Sequence, residues 1–174
     1  MITLQQFTEN DFEKVMSWVD SEQFLVQFAG TQFLYPLTPE QLKKYLDATD
    51  RKIFKIVLDE TQSMVGMLDL SSIDLKNRSA ILARVLIGER TLRGKGFGHE
   101  AIIETLRYGF DELGLHRIAI NVLDFNKGAI ELYKQLGFQQ EGYLRDYFRI
   151  KGTYWSVYRM SILEDEFRKA HIKA

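Results

Sequence analysis

The stretch that most constrains this chain is Arg93-Gly94-Lys95-Gly96-Phe97-Gly98. It follows a β-branched apolar run ending at Ile87-Gly88 and opens a helix-patterned segment running towards Gly114. A strand that turns through glycines into a helix, and then meets another strand, forms a crossover whose two strands lie parallel. Glycine at alternate positions leaves backbone N–H groups unshielded, and a helix start adds unpaired amides and the positive end of its dipole. The loop therefore reads as a phosphate cradle with Arg93 and Lys95 as mobile positive charge around it. The plainer reading is a glycine-rich strand-to-helix turn.

Two nucleotide motifs fail on spacing. G-x-G-x-x-G needs glycine where His99 stands, and the P-loop needs Ser or Thr where Gly96 follows Lys95. What remains is Arg-x-x-Gly-x-Gly. It resembles the pyrophosphate signature of the GNAT superfamily of acyl-coenzyme A N-acyltransferases.

The rest of the chain is consistent with such a fold. Ile2 to Phe7 alternates as a half-buried strand, and Thr8 or Asn10 caps a helix carrying Phe12, Val15, Met16 and Val19. Ser21 to Pro36 reads as an irregular aromatic segment. Thr38-Pro39-Glu40-Gln41 starts a second helix that ends near Asp47 to Asp50. Ile53 to Leu58, Met64 to Leu70 and Ala80 to Ile87 form an antiparallel meander feeding the glycine loop. Ile102, Leu106, Phe110 and Leu113 stripe a central helix stopping at Gly114; a strand (Ile118 to Leu123), a helix (Asn126 to Leu136), two strands (Gln139 to Ile150, Thr153 to Ile162) and a polar helical tail (Glu164 to Lys173) follow. The expectation is an α+β fold over residues 1–174: one domain, with a mixed, mostly antiparallel sheet of about seven strands flanked by helices. That order matches the GNAT fold.

Composition narrows the function. A net charge of -1 argues against a general nucleic-acid binder, and the absence of cysteine removes thiolate chemistry. No apolar run approaches the roughly 18 residues of a membrane span, and Met1 to Gln5 lacks a signal-peptide layout, so no membrane partner and a cytoplasmic location are expected.

A second stretch carries the resemblance further. Asn126-x-x-Ala129-x-x-x-Tyr133 followed by Leu136-Gly137-Phe138 resembles the second signature of the family. Seven residues are close to two helical turns, so Asn126 and Tyr133 share a face, roughly 10 Å apart. On their own, Asn126 reads as an N-cap and Tyr133 as a packed aromatic. The resemblance implies acetyl-CoA as co-substrate, held by the backbone of Leu86, Ile87 and Gly88, by the loop residues Arg93, Gly94, Lys95, Gly96, Phe97 and Gly98, and by Asn126. Glycine at 88 is expected to let the strand splay. Direct attack by an amine on the thioester, an oxyanion held by a strand N–H, and Tyr133 as proton donor to the thiolate complete the implied reaction. A coenzyme A binding module without catalysis is the competing class.

The acceptor is less legible. The aromatic segment before Thr38-Pro39, the Arg-Gly-Lys-Gly-Phe-Gly form of the first signature and the Gly137-Phe138-Gln139-Gln140-Glu141-Gly142 ending look most like the ribosomal-protein N-terminal and spermidine N-acetyltransferases. A protein N-terminal α-amine is the first expectation, a polyamine the second, and an amino sugar a third. Asp69, Glu89, Asp124 and Glu22 are candidate bases, with a surface or capping carboxylate the plainer reading of each; Glu22, Asp20 and Asp69 are candidate members of an acidic cleft, and Arg84 would oppose a polycation if its side chain faced that cleft. His99 and His116 read as structural. Trp18, Phe28, Tyr147, Tyr154 and Trp155 are candidate cleft walls, with core the preferred reading for most. Similar proteins pair through their final strands, so a homodimer is a further implication.

Overall fold

The computed structural model describes residues 1–171. Alternation of apolar and polar residues makes β1 (Ile2–Gln6) a sheet strand with Ile2 buried. Thr8 then turns the chain: its backbone and hydroxyl both donate to Asp11 Oδ2, at 2.8 and 3.1 Å, and α1 (Phe12–Trp18) follows with Phe12 and Val15 buried.

The segment expected to be irregular contains a helix, α2 (Glu22–Ala29). Ser21 caps it, its hydroxyl accepting from Phe24 N at 3.1 Å, and Leu25, Phe28 and Ala29 form the buried stripe at spacings of three and four. The density of aromatic residues hid this ordinary helical pattern. α3 (Pro39–Leu46) begins as predicted, with Thr38 accepting from Gln41 N and proline at the first position.

The meander is β2 (Lys52–Leu58), β3 (Ser63–Asp74) and β4 (Ser79–Ile87). After it come α4 (Phe97–Arg107), β5 (Arg117–Leu123), α5 (Lys127–Gln135), β6 (Gln139–Ile150), β7 (Thr153–Leu163) and α6 (Glu164–His171). The central helix does not run unbroken to Gly114. It widens into a π turn at Tyr108–Glu112, which sets Phe110 5.3 Å from Phe167 of α6. The expected tail helix is present to His171; its last two expected residues lie outside the described part.

The seven strands form one mixed sheet in the order β1-β2-β3-β4-β5-β7-β6. Every pairing is antiparallel except β4 with β5, the crossover through α4. β3 is buried on both faces, so its residues divide between two cores. Leu68 and Leu70 join Leu82, Ile102, Leu106 and Ile118 on the α4 side, while Met67 joins Val15, Leu25, Leu42, Tyr45 and Leu86 under α1 to α3.

Full burial of each such side chain stabilises the fold by about 1.5–3 kcal/mol. Leu70 has no exposed surface, whereas Leu75 is 65% exposed in the β3–β4 turn. Leu70→Ala is therefore expected to lower the unfolding free energy in urea by about 2–5 kcal/mol, and Leu75→Ala by no more than about 0.5.

Candidate active site

The site is built where β4 leaves β5. The two strands pair at Ser79 with Arg117, Ala80 with Ile118 and Ile81 with Ala119, and no further. β4 then carries an extra residue: Met67 faces Leu86 and Asp69 faces Ala83, so Arg84 and Val85 together oppose Leu68. Beyond this bulge Gly88 N donates to Val65 O at 2.9 Å, on the β3 side. Alternation along the strand turns Leu86 to that same side and aims the Ile87 N–H into the gap.

Gly88 has a different reason from the one expected. A Cβ there would lie 2.0–2.4 Å from atoms of the Trp18 ring, so the glycine lets Trp18 lie flat on the strand end. Trp18 Nε1 donates to Glu89 Oε1 at 3.3 Å, and Lys14 Nζ reaches the same oxygen at 2.5 Å. These bonds, Lys14's first, hold the Glu89 carboxyl below its ordinary range.

The glycine loop is open as a cradle must be. Gly94 and Gly96 have φ of 74° and 87°, and, the adjoining residues aside, nothing among the described residues lies within 4 Å of a Cβ built on either. Gly96 caps α4 without a side-chain bond, so the first amides of that helix have no capping oxygen. Lys95 and His99 are exposed beside it. Arg93 is tethered rather than mobile. Its Nε donates to Ile87 O at 2.8 Å and its Nη2 to Gly88 O at 3.3 Å, while the guanidinium sits 5.8 Å from the Phe24 ring. Behind it a recess of about 230 Å³ runs between α2 and β4, lined by Phe24, Phe28, Val85, Leu86 and Ile87.

The second signature stands on α5, which follows β5. Asn126 is the N-cap, its Oδ1 accepting from Ala129 N at 3.2 Å, which leaves its amide NH2 on an exposed residue. Tyr133 is 6% exposed and packs edge-on to Phe138, with centroids 5.6 Å apart. Burial raises its pKa above the ordinary tyrosine value. Among the described residues its hydroxyl has no hydrogen-bond partner, yet no polar side-chain atom is sealed without one. Tyr133 Oη therefore keeps an opening to the outside.

The candidate carboxylates divide sharply. Asp69 is fully buried; its Oδ1 accepts from Arg84 Nη2 at 2.7 Å, and its Oδ2 accepts from Arg84 Nε and Tyr45 Oη. It cannot also serve as an open member of an acidic cleft, and the charge of Arg84 is neutralised within the same pair. Burial and then the Asp69 charge raise the Tyr45 pKa, so its phenol remains a donor. Asp124 accepts from Tyr143 Oη at 2.8 Å. Asp20 and Glu22 flank the start of α2 and pair with Arg90 at 2.6 Å and Lys151 at 3.7 Å, all on exposed side chains.

Lys151 belongs to the β6–β7 turn, and Phe148 of β6 fills the space a Cβ at Gly30 would take. The hairpin thus reaches over to both ends of α2. Phe28 is core, but Tyr147 and Tyr154 are half-exposed, contrary to the core reading, and Trp155 stacks edge-on against Phe125. The Asp69–Arg84–Tyr45 cluster was not foreseen as a unit, because its members are far apart in sequence and no motif links them.

A strand that leaves its parallel neighbour beside an open glycine loop is the arrangement that the resemblance to acyl-coenzyme A N-acyltransferases implies. The chain matches the acetyltransferase (GNAT) domain family over residues 1–139 and belongs to it. It is 39% identical over 114 residues, 66% of this chain and 63% of the relative, to the uncharacterized N-acetyltransferase p20 of Bacillus licheniformis. It is 36% identical over 112 residues, 64% of each chain, to the spermidine N(1)-acetyltransferase of Vibrio cholerae. The chain spans just under two thirds of the length of these curated relatives. Its fold superposes with a TM-score of 0.83 and 26% identity on the Vibrio cholerae spermidine N-acetyltransferase in complex with CoA and spermine, covering 95% of this chain and 97% of that one.

A methyl group at Gly96 would enter the cradle and force a left-handed conformation costing about 1–2 kcal/mol. Gly96→Ala is expected to weaken coenzyme A binding about tenfold by calorimetry, whereas Gly98→Ala, within α4, changes it far less.

Proposed function

We propose that this protein transfers an acetyl group from acetyl-coenzyme A to a primary amine of a polyamine. The structural likeness to an enzyme bound to both CoA and spermine is the observation that carries the acceptor. The protein N-terminal α-amine, first in the sequence reading, gives way to the polyamine for that reason. The donor reading rests on the family and on the open cradle from Gly94 to Gly98.

In this reading the pyrophosphate meets the cradle and the first amides of α4, and the pantetheine arm runs along the free edge of β4. The amine attacks the thioester carbonyl, forming the C–N bond, while the Ile87 N–H takes the developing oxyanion. The C–S bond breaks as Tyr133 Oη protonates the thiolate, the nitrogen that attacked loses its proton to solvent, and solvent returns a proton to the Tyr133 phenolate. At neutral pH the Tyr133 phenol carries the proton this role needs, as an ordinary tyrosine would; burial raises its pKa and so makes it a weaker acid towards the thiolate. Asp20 and Glu22 offer the second ammonium of a polyamine its counter-charge. Their present partners are exposed pairs worth about 0–1 kcal/mol, so a polycation can displace them.

Thiol release from acetyl-coenzyme A should be seen with spermidine ahead of peptides and amino sugars. Activity confined to peptides would restore the N-terminal acceptor, and coenzyme A binding without release on any amine would mark a non-catalytic module. Tyr133→Phe should leave the melting temperature nearly unchanged and lower kcat by roughly 10²-fold.

The acceptor amine has a pKa near 10, and Glu89, held below its ordinary range, is a poor base for it. With Tyr133 still protonated, kcat/KM should climb with pH up to about 10 without a falling limb. A plateau beginning below about pH 8 would instead reveal a general base.

A further inference from the structure

The buried cluster of Asp69, Arg84 and Tyr45 has no part in the donor and acceptor roles assigned above, yet its members meet at the bulge of β4. Arg84 is one of the two bulged residues, with φ of 51° in the left-handed region. A left-handed arginine inside a strand persists only where its surroundings over-determine it. Here its guanidinium forks onto both oxygens of a carboxylate that has no exposed surface. Tyr45, reaching in from α3, donates to the same carboxylate, and its ring centroid lies 5.3 Å from the Arg84 guanidinium.

The bulge decides which amides face the gap. One extra residue reverses the alternation of N–H groups beyond it. With the bulge, Gly88 donates to Val65 O and Ile87 faces the gap. Without it, the strand would present the opposite set, with the Ile87 N–H turned into the β3 ladder.

We propose that Asp69, Arg84 and Tyr45 are positioning residues for acetyl transfer, holding the bulge that aims the Ile87 N–H at the thioester carbonyl. The inference rests on acetyl-coenzyme A as donor. A triad that only stabilised the fold would alter the melting temperature and leave the rate of the folded enzyme alone. A positioning triad acts more on rate than on affinity, because the acyl carbonyl depends on the one amide the bulge aims, whereas coenzyme A draws most of its affinity from the glycine loop and the first amides of α4, away from the bulge.

The test uses the full chain labelled with ¹⁵N-isoleucine, titrated with coenzyme A and with acetyl-coenzyme A, in wild type, Arg84→Met, Arg84→Lys and Tyr45→Phe. Turnover of spermidine is measured in parallel. In wild type the Ile87 amide resonance should move further with acetyl-coenzyme A than with coenzyme A. In Arg84→Met that acyl-dependent difference should vanish, with kcat down roughly tenfold or more and the Kd of coenzyme A within about twofold. Arg84→Lys should recover part of both readouts, and Tyr45→Phe, which keeps the ring, should fall between; it carries the comparison should Arg84→Met not fold.

Persistence of the acyl-dependent difference and of kcat in the folded variants overturns the proposal, as does a loss of coenzyme A affinity in step with kcat. A wild type that shows the acyl-dependent shift but turns over no spermidine counts against the polyamine acceptor alone, and the amide readout still decides the triad. A wild type that binds no coenzyme A removes the donor reading and this inference together.

Discussion

The divergence of β4 from β5 is the constraint on which the rest of the structure depends. Three residue pairs hold the strands parallel at their start, and a bulge then turns β4 away. The glycine loop can open onto α4 because β4 ends free of β5, while β5 keeps its pairing with β7 as it leads into α5. An uninterrupted ladder between β4 and β5 would bury the Ile87 amide in a sheet hydrogen bond. The gap is therefore made by local geometry in one strand, while the two cores on either side keep the sheet from parting altogether.

The parts legible in the sequence are those whose chemistry is local. The glycine loop, the capping of α3 and the seven-residue spacing of Asn126 and Tyr133 all depend on neighbours within two turns, so residue order predicts them. Three features depended on distant partners and were missed or misread. The need for glycine at 88 comes from Trp18, seventy residues earlier in the chain. The tethering of Arg93 depends on carbonyls freed at the end of β4 and on Phe24 of α2. Asp69 looked like an available carboxylate because nothing in its own strand announces Arg84 and Tyr45. In α2 the error ran the other way, since four aromatic residues around Gly30 obscured a short helix with an ordinary serine cap.

The electrostatics separate two uses of charge. Inside, Asp69 and Arg84 cancel each other within a buried pair. Outside, Asp20 and Glu22 are held by arginine and lysine side chains that remain in solvent. A buried pair deprived of one member leaves an uncompensated charge, whereas an exposed pair exchanges partners readily. Rigidity at β4 and exchangeability at α2 thus come from the same residue types at different depths.

An open sheet ordinarily has two edges, and proteins guard them because any unpaired ladder invites another strand. This one has β1 and β6 at its rims and two more edges within it, where β4 and β5 part. The inner pair is recessed between helices, out of reach of a second flat sheet but accessible to a slender chain with amides of its own. A pantetheine arm answers that description. The acyl donor would then act as a missing rung, completing the backbone pairing of the protein that consumes it.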